Sequence, residues 1–447
     1  MGLDLLGIRR LPFFTRRNFR NELQHLLFWA VLVGVVEGQF ASVVVSKTFG
    51  GSDLLIAIAT ATPFAANILS LAWGMLCIGR PKIRLATIFA SGAVLCVGVV
   101  GFIPGTRFGA VWFIVQMAAA QAMLAGMVTV RSAMWKSNYP VEVRGQIAAQ
   151  LHRMRSLISV LTVQAAAAIS DANPTAYRFI YPAAGLCGAI GIALLPRMRI
   201  RGERSHLRRT ESAAVAEAGS PARLSLGRVL SPGYSLGQMI RVLADDRRFA
   251  WYCVAQFLHG VSNLLTLPVV VAVVTRSLHP GGNGSFWIST ALIVALPTLT
   301  LLGSLTRWGR LFDSEGVLRF RVINVLCWAA ALLFGMSGTL LVISSDSLGP
   351  RQFLVAVVLF ACRGLIYGIA QAGGQIAWNL GHLHFADPNR AEVYMGIHVF
   401  LTGVRGLMAP LLGMWIWNLV GWPVWILAIG LAFTSVGVYA ALARTDR

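Results

Sequence analysis

The chain has 447 residues, 56% of them hydrophobic and only 12% charged. A soluble domain carries about 25% charged residues, and a soluble core stops growing near roughly 250–300 residues. A single large soluble protein is therefore excluded. The formal net charge of +21 is gathered at particular loops rather than spread along a nucleic-acid-binding face.

Apolar runs of bilayer length, about 20 residues, recur along the chain. They predict spans 1–6 at 24–47, 53–78, 83–103, 108–135, 145–170 and 176–196. Spans 7–12 follow at 248–276, 284–310, 320–345, 352–378, 391–418 and 422–442. The expected organisation is a tail at 1–23, a six-helix half at 24–196, a linker at 197–247, a second half at 248–442 and a tail at 443–447. The fold class this predicts is an all-α membrane protein of twelve transmembrane helices in two pseudo-symmetric halves.

The first apolar run is too long for a signal-peptide core and follows Arg9, Arg10, Arg16, Arg17 and Arg20, so it is read as span 1. Arg and Lys crowd the tail, the 2–3 loop (Arg80, Lys82, Arg84), the linker and the 8–9 loop (Arg307, Arg310, Arg319, Arg321). The other side carries only Lys47, Arg107, Arg178, Arg276 and Arg351. The positive-inside rule then puts both termini and the linker in the cytoplasm of a cell inner membrane. Anionic lipid is the expected partner of the basic face, and nucleic acid is not required. The six cysteines lie in apolar stretches without a C-x-x-C pair, so neither a metal nor a cofactor is expected.

The two halves echo each other. Trp29 with Glu37-Gly38 matches Trp251 with His259-Gly260, Trp73-Gly74 matches Trp308-Gly309, and Arg144 with His152 matches Arg390 with His398. The offsets are 222, 235 and 246 residues, in equivalent spans and in order. A duplicated six-helix unit implies a site between the repeats.

On these residues the chain resembles the major facilitator superfamily over nearly its whole length. The strongest motif is Gly309-x-x-x-Asp313-x-x-Gly316-x-x-Arg319. It is similar to the family signature between the second and third helices of each half. The resemblance implies a gating loop, with Asp313 capping a helix or pairing with an arginine. The N-terminal copy has Ile78 and Pro81 where the motif has its Asp and Gly, so a charge-based gate is weakened there.

Charged side chains at bilayer depth mark function, because each costs about 2.5–3.5 kcal/mol or more at a helix centre. Glu37, His259, Arg363 and Arg405 fall near the middle of their spans. Arg363, Tyr367 and Gln371 share one face of span 10, and His259 and Asn263 share a face of span 7. These residues are the candidate solute site, with Glu37 as candidate proton carrier. By resemblance, spans 1, 7 and 10 line the central path. Two arginines against one acid favour an anionic solute. A structural reading stands beside this one: Glu37 as a plain counter-ion of Arg363 or Arg405, and Arg155 reaching to the cytoplasmic surface.

The expected function is secondary active transport of a small anionic solute by alternating access, with H+ as candidate coupling ion. The alternative is a non-transporting receptor or assembly factor of the same fold. No Ser/His/Asp set, metal spacing or phosphate loop supports an enzyme.

Overall fold

The computed structural model describes residues 13–77, 80–203, 205, 207, 232–278, 284–345, 348–385 and 391–445. Ile78, Asn389, Arg390 and the side chain of Arg144 lie outside the described residues.

The described residues are helical throughout, with no strand. The first set comprises α1 (Phe13–Val36), α2 (Phe40–Lys47), α3 (Asp53–Ala65), α4 (Ser70–Leu76), α5 (Lys82–Gly98), α6 (Arg107–Asn138), α7 (Val141–Ala172) and α8 (Tyr177–Leu194). The second comprises α9 (Pro232–Asp245), α10 (Arg247–Leu265), α11 (Leu267–Ala272), α12 (Phe286–Thr290), α13 (Leu296–Ile343), α14 (Pro350–Leu380), α15 (Ala391–Val420) and α16 (Pro423–Thr445).

Among the described residues, eight helical stretches are long and apolar enough to cross a membrane, or nine when α1 and α2 count as one bent span. One of the eight runs 58 residues, Phe286–Ile343. At 1.5 Å per residue that is roughly 87 Å, far beyond a ~30 Å hydrocarbon core. It is interrupted at Gly316, whose φ of 71° and ψ of 165° belong to a region essentially restricted to glycine.

Start signals are local. The Ser52 hydroxyl accepts from Leu55 N (3.4 Å), Thr106 from Gly109 N (3.1 Å), Asp246 from Phe249 N (2.9 Å) and Ser285 from Ile288 N (3.2 Å). Each meets one of the unpaired donors at a helix N-terminus.

In the first set, α1 packs against α7 and α8, and α5 against α6 and α8. In the second, α13 packs against α14 and α16, and α10 against α15 and α16. The two sets meet where α3 lies along α15 and α7 touches α12. Large apolar side chains such as Leu95, Phe102, Phe179, Leu186, Trp415 and Leu419 point outward. A water-facing surface does not carry so many, whereas a lipid-facing one does.

Candidate functional site

A cavity of about 380 Å³ lies between the two sets, within the usual range for small-molecule sites. Four of its walls are places where a helix breaks. The α1–α2 pair bends by 45° at Glu37-Gly38-Gln39, where Gly38 has φ +74°. Pro63 in α3 precedes a 3₁₀ turn at Ala66–Leu69. Leu267 follows the break between α10 and α11. A π turn at Ala291–Ala295 precedes Pro297. Broken helices expose main-chain groups, and a cavity is where membrane proteins tolerate them. One is already used: Gln121 Nε2 donates to Val36 O at 2.5 Å.

The lining is polar at several points. The first set supplies Glu37, Gln39, Asn67, Ser70 and Gln121, and the second supplies Thr298, Arg363, Tyr367 and Gln371. Arg363 is 3% exposed. Its guanidinium lies over the Tyr367 ring, 4.9 Å from the centroid. Among the described residues it has no carboxylate within ion-pair distance. Tyr367 is itself held in place. Trp328 packs edge-on at 4.7 Å, and the Asn263 side chain lies close to its hydroxyl. His259 in turn packs on Trp328 at 5.6 Å. The span-10 stripe expected from the sequence, on α14, thus reaches the cavity as Arg363, Tyr367 and Gln371, while His259 and Asn263 stand behind it as supports.

Arg405 does not line the cavity. It turns toward α10 and donates to the main-chain oxygen of Gln256. Glu37 does line it, but its partner is Arg155, neither Arg363 nor Arg405. The reason is packing. α7 lies directly on α1, with Ser159 Oγ donating to Ala30 O at 3.1 Å and Gly34 against Ser159. Arg155, one turn from Ser159, therefore reaches Glu37 instead of the cytoplasmic surface.

The end of the molecule that carries few charges is laced together. Lys47 donates to Gly284 O, and Arg276 pairs with Asp53 and donates to Gly51 O. Ser46 and Thr275 hydroxyls meet at 2.6 Å. The Asp171 carboxylate accepts from Ser285 Oγ (2.7 Å), Phe286 N (2.5 Å) and Trp287 N (3.0 Å), closing the N-terminus of α12. Thr290 donates to Gln164 at 2.5 Å. Ser46 and Thr275, and Lys47 and Arg276, are each 229 residues apart, within the range of the offsets between the sequence matches. The hydrogen bonds and ion pairs that cross between the sets, among the described residues, cluster at this end.

The basic end is different. Asp313 is exposed and has no hydrogen bond or ion pair among the described residues. Arg319 sits 4.0 Å from Glu315 instead. Gly316 makes the turn that the motif requires, and Gly309 has open space around it. Sequence reading missed Asp171 and Gln121, and it directed Arg155 to the surface rather than to Glu37. Only Asp171 had a visible signal, as one of few acids at its end of the chain.

No protein-family model matches the sequence, and no curated protein matches it. Solved structures do match, by shape. A D-xylose–proton symporter superposes with TM-score 0.64 at 14% identity, over 95% of this chain and 96% of that one. The nucleoside transporter NupG gives 0.64 at 9% identity over 96% and 99%. The xylose transporter XylE of E. coli, in an inward-open conformation, gives 0.61 at 14% identity over 95% of each chain.

The fold is the one that these transporters share. The likeness is in keeping with the resemblance read from the sequence, and the chain is an all-helical, multi-pass membrane protein. At these identities the likeness extends to shape and not to solute.

Proposed function

We propose that the chain is a secondary active transporter for a small polar solute bearing an anionic group, working by alternating access. The observation that carries this is Arg363: a buried guanidinium with no carboxylate partner among the described residues, on a cavity between the two helix sets. A buried charge without a partner is costly, and Arg binds carboxylate with a rigid two-pronged fork. A carboxylate-bearing solute supplies the missing charge. The neighbours in shape include a proton symporter and a nucleoside transporter by name, which supports transport as the activity.

The reading includes twelve spans in two six-helix halves. Gly316 divides the 58-residue stretch, α1–α2 and α3–α4 each make one span, and α7 makes another. Residues 24–196 and 248–442 are the halves, and 197–247 the linker. Both termini and the linker are cytoplasmic, at the basic end, with anionic lipid against it. The charge-poor end is then the outer one, latched shut, and the conformation faces inward. Glu37 is the proposed proton carrier. When neutral it releases Arg155, coupling H+ to the state of the cavity. The Asp313 loop is the proposed inner gate, disengaged in this state.

A thermal-shift screen of the purified protein tests the solute class, because a ligand of the folded state raises its stability. Small carboxylates are expected to stabilise it, and Arg363→Lys is expected to weaken the response about tenfold, or ~1.4 kcal/mol. Reporter fusions within 197–247 and at Arg447 are expected to signal the cytoplasm.

A second reading has its own observation. Gln39, Asn67, Gln121, Gln371, Ser70 and Thr298 form an amide and hydroxyl lining suited to an uncharged sugar or nucleoside. Stabilisation by a neutral sugar or nucleoside that survives Arg363→Gln would establish it over the anion.

A further inference from the structure

A second cationic centre lies inside the C-terminal set, away from the cavity. Arg321 is 1% exposed and Arg405 is 9% exposed. Both bond the same residue: Arg321 Nη2 donates to Gln256 Oε1 at 2.8 Å, and Arg405 Nη1 donates to Gln256 O. Arg321 is further held by Tyr439 OH at 3.1 and 3.2 Å and by Asn324 Oδ1 at 3.3 Å. His398 Nε2 sits 3.4 Å from Gln256 Nε2. Every partner is neutral. Among the described residues no carboxylate pairs with either guanidinium. Asp246, at the start of α10, is engaged by Phe249 N and by Tyr394 OH at 3.0 Å.

Two buried donors here have no partner: Arg405 Nε and Tyr252 OH. Gly260 makes room for the first, since a Cβ there would lie 2.3 Å from the Arg405 guanidinium. Tyr252 stands against Tyr439, ring centroids 5.8 Å apart, and the Arg321 guanidinium covers the other partner of that pair, 5.3 Å from the Tyr439 ring. Two full positive charges sharing one glutamine, with no acid and two idle donors, leave a charge deficit in a low-dielectric interior. Burying one such charge unpaired costs several kcal/mol, and leaving donors unmade adds to it.

We propose that α10, α13, α15 and α16 enclose a binding site for a small inorganic anion of chloride size, held by Arg405 and Arg321. A small ion suits the place, because Gln256, Asn324, His398 and Tyr439 around the two guanidinium groups are all buried. The anion offsets one of the two positive charges and ties together the four helices that supply its neighbours. It is separate from the solute site, since Arg405 does not line the cavity. The proposal does not depend on what the cavity carries.

The test uses purified full-length protein in sodium isethionate, which carries no carboxylate, with chloride exchanged for isethionate at constant ionic strength. Wild type is expected to show a saturable rise in Tm with chloride, reproduced by bromide and not by sulfate. Arg405→Gln is expected to lose the chloride response. Should that variant fail to fold, chloride-35 NMR on wild type decides: line broadening that saturates at the thermal midpoint supports the site, and its absence overturns it. A Tm of wild type indifferent to chloride, or a chloride response intact in both Arg405→Gln and Arg321→Gln, also overturns it.

Discussion

The latch at the charge-poor end gives the sharpest handle on alternating access, and Asp171→Ala is the change that releases it most cleanly. Asp171 belongs to the first helix set and accepts three hydrogen bonds from the second. A hydrogen bond to a charged group contributes about 1.5–3 kcal/mol when buried. The Ser285 and Trp287 contacts are exposed, and loss of a helix cap costs about 0.5–2 kcal/mol. A net loss of about 1–2 kcal/mol follows, or a five- to thirtyfold change in an equilibrium. The contacts exist only when this end is closed, so the whole effect should appear as a shift toward the open end. Spin labels at Arg107→Cys and Arg351→Cys, both exposed positions in the first turns of α6 and α14 at that end, read the distance between sets once the six native cysteines are replaced. Asp171→Ala should transfer population to a longer distance by that factor, with Asp171→Asn in between because asparagine still caps. An unchanged distance distribution in Asp171→Ala would refute the latch.

Two further outcomes follow from packing and pairing. Glu37→Gln and Arg155→Gln should each lower stability by about 1–2 kcal/mol, below the 3–5 of a sealed pair, because these side chains are 29% and 18% exposed. The double variant should recover most of one loss, giving a coupling of about 1 kcal/mol in thermal unfolding; strict additivity would mean the pair is not formed. Gly413→Ala should destabilise by about 1–3 kcal/mol or more, since its Cβ would lie 1.9 Å from Leu265 O, whereas Gly430→Ala, with nothing within 4 Å, should be neutral or mildly stabilising in the same melt.

The sequence made the architecture legible because hydropathy is a strong, local signal: a run such as 83–103 needs no partner to be read as a span. It overestimated regularity. Spans 1, 2, 7 and 8 appear as single apolar runs, yet the structure breaks each one at the cavity, where Gly38, Pro63, Pro268 and Pro297 fall. Depth was legible as well, and it placed Glu37 and Arg363 on the cavity. Direction was not. Arg405 shares the depth of Arg363 but turns away, because Gly260 leaves a groove on α10 that its guanidinium fills. Arg155 reads as a cytoplasmic cation by distance along α7, yet its long side chain runs along α1 to Glu37. The latch was invisible for a different reason. Lys47, Asp171 and Arg276 are unremarkable loop-end residues until the two repeats face each other.

The central claim is that Arg363 completes an anion site between the two helix sets, and uptake into proteoliposomes tests it most directly. Wild-type protein, loaded in parallel with a panel of radiolabelled small carboxylates and with uncharged sugars and nucleosides, should take up a carboxylate saturably. Arg363→Lys should fold, keep the same distance distribution between the labelled sets, and lose at least about tenfold in apparent affinity for that carboxylate. Saturable uptake confined to an uncharged solute, unchanged in Arg363→Lys, would contradict the account.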